Sequence, residues 1–143
     1  MTAPAREEAT SQPVHARRVG VLALCTVVVL APYLAGVLVP YYVNDLDAVP
    51  LAEVASGMHD PKDLWPQGLV GGLTQLAGFL SIALTPIGLL AVSAVALPGF
   101  TSRSRRGTPA VTAGHVLVTA LCLAALALFF SPLGNALAAW RMD

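Results

Sequence analysis

Charged side chains are scarce in this sequence and unevenly distributed. Only 11% of the residues are Asp, Glu, Lys or Arg, whereas about a quarter of the residues of an ordinary soluble domain are charged. Residues 19–44, 64–102 and 107–140 contain none of these four residue types. Because about 20 apolar residues cross the hydrocarbon core of a bilayer, the pattern predicts an integral membrane protein and excludes a soluble globular enzyme.

An excess of positive charge is also missing, since 8 basic and 8 acidic side chains cancel to a net charge of zero. A nucleic-acid-binding protein needs a basic surface to neutralise phosphates, so nucleic acid is not expected as a partner. No Asp, Glu, Lys or Arg lies inside a predicted span. Translocation of protons or ions through this chain alone therefore has little support.

Histidine and cysteine are too few, and too dispersed, for a cofactor or a catalytic site. Of His15, His59 and His115, only His115 falls in a predicted span, which excludes a bis-histidine haem within one chain. For His115 we expect a structural hydrogen bond. Cys25 and Cys122 both fall in apolar runs without a C-x-x-C spacing, so we interpret them as small buried hydrophobic residues. We predict neither a cofactor nor an enzyme.

The apolar sequence that remains predicts an all-α protein with three transmembrane helices, over residues 19–43, 68–98 and 111–140. The middle run could instead form a hairpin of two helices, but its second half would have only about 12 apolar residues, too few to span. One long helix is therefore favoured there. Pro32 and Pro86 predict kinks in the first and second helices.

A secretory signal peptide is the alternative interpretation of the first apolar run. Arg17 and Arg18 precede this run, and residues 29–31 resemble a small-residue cleavage site. The apolar part of a signal peptide is only about 7–15 residues long, however, and this one continues well past Ala31. A retained membrane anchor is therefore expected.

The distribution of basic residues predicts the orientation. Three spans place six arginines on one side of the membrane and only two basic residues on the other; the six are Arg6, Arg17, Arg18, Arg103, Arg105 and Arg106, and the two are Lys62 and Arg141. Because cytoplasmic flanks are enriched in Lys and Arg, we expect a cytoplasmic N-terminus and an extracytoplasmic C-terminus in the cell membrane. The abundance of Ala, Val, Leu and Arg is of a kind found in GC-rich bacteria.

Three segments are predicted to lie outside the bilayer. Residues 1–18 have few large apolar side chains and are expected to form a flexible cytoplasmic tail. Residues 99–110 form a basic cytoplasmic loop, and residues 44–67 form an acidic outer loop. In the outer loop, Pro50 suits the start of a short helix on the membrane surface and Gly57 suits its end.

The outer loop is also a candidate for docking or cation binding. His59, Asp60, Asp63 and Trp65 are the candidate docking residues. Carboxylates together with an imidazole could bind a divalent cation, but their spacing matches neither an EF-hand loop nor a zinc site. We therefore predict no metal site and attribute the acidity to the exclusion of Lys and Arg from an outer flank.

Small and polar residues in the second helix are the candidates for contacts between helices. Gly68 and Gly72 form a G-x-x-x-G step, followed by Gln75, Ser81 and Thr85. Small residues at this spacing let helix backbones approach closely, and the Gln75 amide needs a hydrogen-bond partner in lipid. Pairs of alanines, Ala31 with Ala35 and Ala120 with Ala124, offer matching surfaces on the other two helices. Packing within the chain and packing against a partner both remain open.

The function that these features favour is that of an accessory or assembly subunit, which contacts the lipid bilayer and other membrane-protein subunits. A homo-oligomeric pore or small transporter is the alternative, with Gln75, Ser81 and Thr85 lining a shared axis. An outward-facing sensor or metal-binding anchor that uses the acidic loop is a weaker alternative.

Overall fold

The computed structural model describes residues 5–61, 63–101 and 108–142, and within these ranges the chain is helical and contains no strand. The helices are α1 (Ala5–Tyr33), α2 (Val39–Val43), α3 (Leu51–Val54), α4 (Gly68–Ala96), α5 (Pro98–Thr101), α6 (Pro109–Phe129) and α7 (Pro132–Met142). A π-helical turn, Leu34–Leu38, joins α1 to α2, and a 3-10 turn, Leu46–Ala48, follows α2.

Three helical segments of the described residues are long and apolar enough to cross a membrane: His15–Val43, Gly68–Ala96 and Pro109–Phe129. Each segment is mostly exposed: in its most apolar stretch of 18 residues, no more than 28% of the residues are buried inside the protein. Exposed leucines and valines along all three segments require an apolar solvent. The predicted all-α protein with three potential spans is confirmed.

The first span is a long helix with a local change of hydrogen bonding. Pro32 has no backbone N–H, and the π-helical turn begins two residues later, where the Val39 N–H donates to the Leu34 carbonyl. At its start, the helix already includes residues 5–18, which the sequence analysis assigned to a flexible tail. Once a span has nucleated a helix, each added residue gains a hydrogen bond without a new nucleation cost, and this tail is rich in good helix formers such as Ala, Glu and Arg.

The second span is one continuous helix, as predicted. Gly68 begins α4 with φ +68°, a conformation that favours glycine, and Pro86 lies inside the helix without ending it. The Leu97 N–H donates to the Ser93 carbonyl, so the chain passes directly from α4 into α5.

The third apolar run is divided into two helices, although the sequence predicted one helix over residues 111–140. Phe130 leaves helical geometry, and Pro132, which cannot donate a backbone hydrogen bond, begins α7. The Ser131 hydroxyl accepts a hydrogen bond from the Gly134 N–H at 3.2 Å, which caps the new helix. A side chain on Gly134 would collide with the Phe129 carbonyl, so the turn depends on glycine there.

The three spans pack on one another, and α3 and α7 cover one end of the bundle. We call that end, which carries residues 44–67 and α7, the loop end; the opposite end, which carries Arg17 and Arg18, is the arginine end. One apolar cluster fills the loop end and includes Val37, Leu137 and Trp140. A second cluster lies between α4 and α6, where Leu89 and Cys122 are fully buried.

The outer-loop helix is shorter than the segment between Pro50 and Gly57 that was predicted for it. Pro50 precedes α3 and Gly57 has φ +72°, both as the sequence favoured, but α3 has only four residues. Val54 is fully buried in the loop-end cluster, whereas Met58 is exposed. The helix packs against α7, so part of the surface that would rest on a membrane is used inside the protein.

Candidate interaction surfaces

The candidate docking residues of the outer loop lie together at the loop end. Asp60, Asp63 and Trp65 are exposed, and His59 is half-buried. Nothing in the sequence analysis indicated how their backbone would be held.

Asn44 fixes the backbone beside the exposed tryptophan. The Asn44 Nδ2 group donates to the carbonyl oxygens of Pro40, at 2.7 Å, and Trp65, at 3.0 Å. The Asn44 Oδ1 atom in turn accepts a hydrogen bond from the Trp65 N–H at 3.0 Å. Trp65 is therefore paired at both of its backbone polar groups while its side chain remains 54% exposed. The only sign of this contact in the sequence was the presence of an asparagine, Asn44, directly after the first predicted span.

The indole of Trp140 links α7 to the outer loop. The Trp140 Nε1 group donates to the His59 carbonyl at 2.7 Å, and the Trp140 side chain is fully buried. A tryptophan near the end of an apolar run is expected at a bilayer interface, where its amphipathic ring would remain partly exposed. The break at Ser131 turns α7 onto the loop and buries the ring there instead.

Arg141 is the buried cation of this end. It is only 7% exposed, its guanidinium lies 5.4 Å from the centre of the Trp140 ring, and its Nε atom has no hydrogen-bond partner among the described residues. A β-carbon on Gly78 would lie 2.6 Å from this Nε atom, so the missing side chain makes room for the arginine. Burial lowers the pKa of Arg141 from its usual value, because the charged form loses hydration.

Gln75 finds its hydrogen-bond partner within the chain. Its Nε2 group donates to the Pro61 carbonyl at 3.2 Å, so the amide ties α4 to the outer loop, whereas the sequence analysis expected another helix. A cavity of about 340 Å³ lies here, lined in part by Asp60, Gln75 and Arg141.

The close crossing of the first and second spans uses glycines other than the predicted pair. A β-carbon on Gly36 would collide with the Gly78 backbone, and one on Gly78 would lie 2.5 Å from the Gly36 carbonyl oxygen. Added β-carbons at Gly68 and Gly72 would have nothing within 4 Å. The G-x-x-x-G step at the start of α4 therefore does not form a close helix contact within the chain.

Ser81 and Thr85 lie inside the bundle, and each is 2% exposed. The Ser81 hydroxyl donates to the Gly78 carbonyl of its own helix at 2.7 Å. The Thr85 hydroxyl donates to the Val29 carbonyl of α1 at 3.2 Å, which is a direct contact between helices. Both hydroxyls are thus satisfied within one chain.

The alanine pairs lie on outer surfaces. Ala31, Ala35, Ala120 and Ala124 are all exposed. A shallow apolar groove follows α6 from Pro109 to Ala120 and is lined mainly by small residues of that helix.

The remaining candidate ligands are dispersed. Among the residues that the structure describes, no group of three His, Cys, Asp or Glu side chains could hold a metal ion. The His115 Nδ1 atom lies 2.9 Å from the Val111 carbonyl oxygen, one turn earlier in α6. Cys122 is buried, but Cys25 is exposed on the outer face of α1, so the interpretation of both cysteines as buried is correct only for Cys122.

Comparison with protein-family models, with curated proteins and with solved structures found no match. The interpretation of these surfaces therefore depends on their own geometry.

Proposed function

We propose that this chain is an accessory or assembly subunit of a larger membrane complex. The observation that carries the proposal is the exposed Trp65 side chain on a backbone that Asn44 holds at two hydrogen bonds. An aromatic side chain on a fixed backbone loses little conformational entropy on binding, and such residues dominate the energy of many protein interfaces. The exposed Asp60 and Asp63 provide a polar rim beside it.

The apolar groove of α6 supplies a second contact of the same subunit, at the depth of the bilayer. Ala113 and Ala120 are exposed there, and Ala124 continues the same helix beyond the groove. Small side chains let a partner helix approach closely, and van der Waals packing is the main attraction between helices in lipid. A partner that contacts both surfaces would cover the loop and the membrane face together.

In the proposed orientation, the arginine end faces the cytoplasm and the loop end faces the outside of the cell membrane. The excess of arginines on the tail and on the 99–110 loop supports this orientation. Tags at the two chain termini, tested for protease access in sealed vesicles, should be found on opposite faces. Tags on the same face would contradict the orientation and the count of three spans.

The homo-oligomeric pore is the less favoured alternative. Ser81 and Thr85, which would have to line a shared axis, are buried among the chain's own helices, and each donates its hydroxyl within the chain. The metal-binding anchor is weaker still, because the described acidic residues of the outer loop are not grouped as ligands.

Site-specific photo-crosslinking in the native membrane tests the accessory role. A photoreactive residue at position 65 or 120 should give discrete adducts with one other polypeptide. The matched control is position 69 on α4, where Leu69 is also exposed but lies outside both the outer loop around Trp65 and the α6 groove. A photoreactive residue there should give only lipid adducts. Adducts with the mass of two copies of this chain would support a homo-oligomer and overturn the accessory role, as would no protein adduct at either position.

A further inference from the structure

A cavity of about 470 Å³ lies at the arginine end, between α1, the end of α4 with α5, and the start of α6. Neither the predicted contact residues nor the proposed partner surfaces include it. Its volume falls in the range of sites that bind small molecules.

The rim of the cavity is basic. Arg17, Arg18 and His15 line it, and both arginine side chains are exposed. Among the described lining residues there is no Asp or Glu. Arginine presents several N–H donors in a planar fork that suits phosphate oxygens, so the rim favours an anionic group with a phosphate.

The walls of the cavity are apolar and continue into the outer surface of the spans. Val21, Leu22 and Val95 line it below the rim, and Val95 is 67% exposed on the outer face of α4. The uncharged stretch of the first span begins at Val19, directly after the arginines. The basic rim therefore lies at the depth of lipid headgroups and the walls lie at the depth of acyl chains.

The inner wall of the cavity is fixed by packing around an imidazole. His115 lines the cavity, is almost fully buried and is hydrogen-bonded to the Val111 carbonyl. A side chain on Gly99 would collide with the His115 ring, and one on Gly114 would lie 2.6 Å from a methyl group of Val19. These contacts hold α1, α5 and α6 at a set separation, so the site is formed before a ligand arrives.

We propose that this cavity binds one anionic phospholipid, with the phosphate between Arg17 and Arg18 and one acyl chain along Val21 and Val95. Charge complementarity selects the headgroup, and the opening of the apolar wall toward the bilayer selects a lipid over a soluble anion. Basic pockets between transmembrane helices are a recognised way to bind anionic headgroups. The proposal depends only on the membrane location of the spans and is independent of orientation and of any partner subunit.

Native mass spectrometry of the full chain, released from nanodiscs of equal phosphatidylglycerol and phosphatidylcholine, tests the proposal. The wild-type chain should retain one phosphatidylglycerol in preference to phosphatidylcholine. The double variant R17Q/R18Q should lose that preference by about tenfold or more, because it removes two charge-assisted contacts. An unchanged ratio of the two lipids would overturn the proposal.

A pair of uncharged variants separates a built site from a general attraction to basic residues. Val95→Trp fills the cavity without changing the charge, whereas Leu90→Trp places the same ring on an exposed position of α4 outside the cavity lining. Retention of phosphatidylglycerol should fall in the first variant and persist in the second. Equal retention in both would show that the cavity is not the site.

The last experiment is a competition with inorganic phosphate, which at millimolar concentration should not displace the bound lipid. Displacement would indicate a site for a soluble anion and overturn the lipid assignment. Trp65 and Trp140 lie at the loop end, so unchanged tryptophan emission in R17Q/R18Q shows that the fold is intact. The two tryptophan variants, which add a fluorophore, are checked by an unchanged helical circular dichroism spectrum instead.

Discussion

The indole of Trp140 donates a hydrogen bond to the backbone carbonyl of His59 at 2.7 Å. This contact joins the last helix of the chain to the loop between the first two spans. Trp140 is fully buried and His59 is half-buried, so the indole N–H would be left unsatisfied without this carbonyl. The break that separates α6 from α7 places the ring there.

Replacement of Trp140 by Phe should destabilise the protein by about 1–3 kcal/mol, because the hydrogen bond to the His59 carbonyl is lost and the smaller ring leaves space unfilled at a fully buried position. Thermal unfolding in mild detergent, followed by circular dichroism, measures the effect. The matched control is Trp65→Phe, which changes an exposed ring whose backbone Asn44 still holds, and it should leave stability almost unchanged. Similar losses in the two variants would contradict a specific role for the buried indole.

Alanine at Gly36 or Gly78 should push the first and second spans apart. In each case the new β-carbon would meet backbone atoms of the facing helix, and overpacking of this kind costs about 1–3 kcal/mol. Gly20→Ala is the control, since nothing lies within 4 Å of an added β-carbon there and alanine is the better helix former. Stability is measured by unfolding in increasing concentrations of a denaturing detergent. Gly20→Ala should be at least as stable as the wild type, whereas Gly36→Ala and Gly78→Ala should be less stable.

The number of the spans could be predicted from the sequence because lipid imposes one dominant constraint, the absence of charge over a sufficient length. The end of the third span could not, since the uncharged stretch continues through the break at Ser131. Residues 64–102 illustrate this, since length alone excluded a hairpin and favoured the single helix that the structure contains. Local backbone chemistry was also accessible: Pro50 precedes α3, and Gly57 adopts the left-handed conformation.

The contacts between elements could not be predicted, because they depend on the rotation and depth of each helix. Spacing drew attention to Gly68 and Gly72, yet the helix crossing lies at Gly36 and Gly78. Each span contributes one glycine to the crossing, and one glycine on its own has no periodic spacing that a sequence pattern could reveal. The partner of Gln75 is a carbonyl of an irregular loop, which no pattern in the sequence specifies.

Replacement of Asn44 by Ala should release the backbone of the outer loop around Trp65. The change removes three hydrogen bonds that link the end of α2 to residue 65 and to Pro40. Hydrogen–deuterium exchange should show faster exchange of the Trp65 amide, while the amides of α4 and α6 stay protected.

Ser56→Ala is the matched control in the same loop. Among the described residues, the Ser56 hydroxyl donates only to the nearby Glu53 carbonyl at an exposed position, so its loss should leave the Trp65 amide protected. If Asn44→Ala also leaves that amide protected, the tether does not hold the loop, and the fixed presentation of Trp65 loses its basis.

Arg141 should be replaceable by an uncharged side chain of similar length without loss of stability. Burial lowers the pKa of Arg141, which means that folding disfavours the charged form. For a base with a lowered pKa, the loss of folding free energy caused by the charge is fully present below the folded-state pKa. It disappears only above the unfolded-state pKa. Across the accessible pH range, the charge of Arg141 therefore opposes folding. Arg141→Met removes this cost and keeps a flexible chain to cover Gly78.

The expected result for Arg141→Met is therefore stability equal to the wild type or higher, measured by thermal unfolding at neutral pH. Arg141→Ala removes the charge and the packing together, and should be weaker than Arg141→Met by about 2 kcal/mol, because the space beside Gly78 and the Trp140 ring would be left unfilled. If Arg141→Met instead proves as unstable as Arg141→Ala, the guanidinium makes a stabilising contact that outweighs its desolvation, and the prediction is wrong.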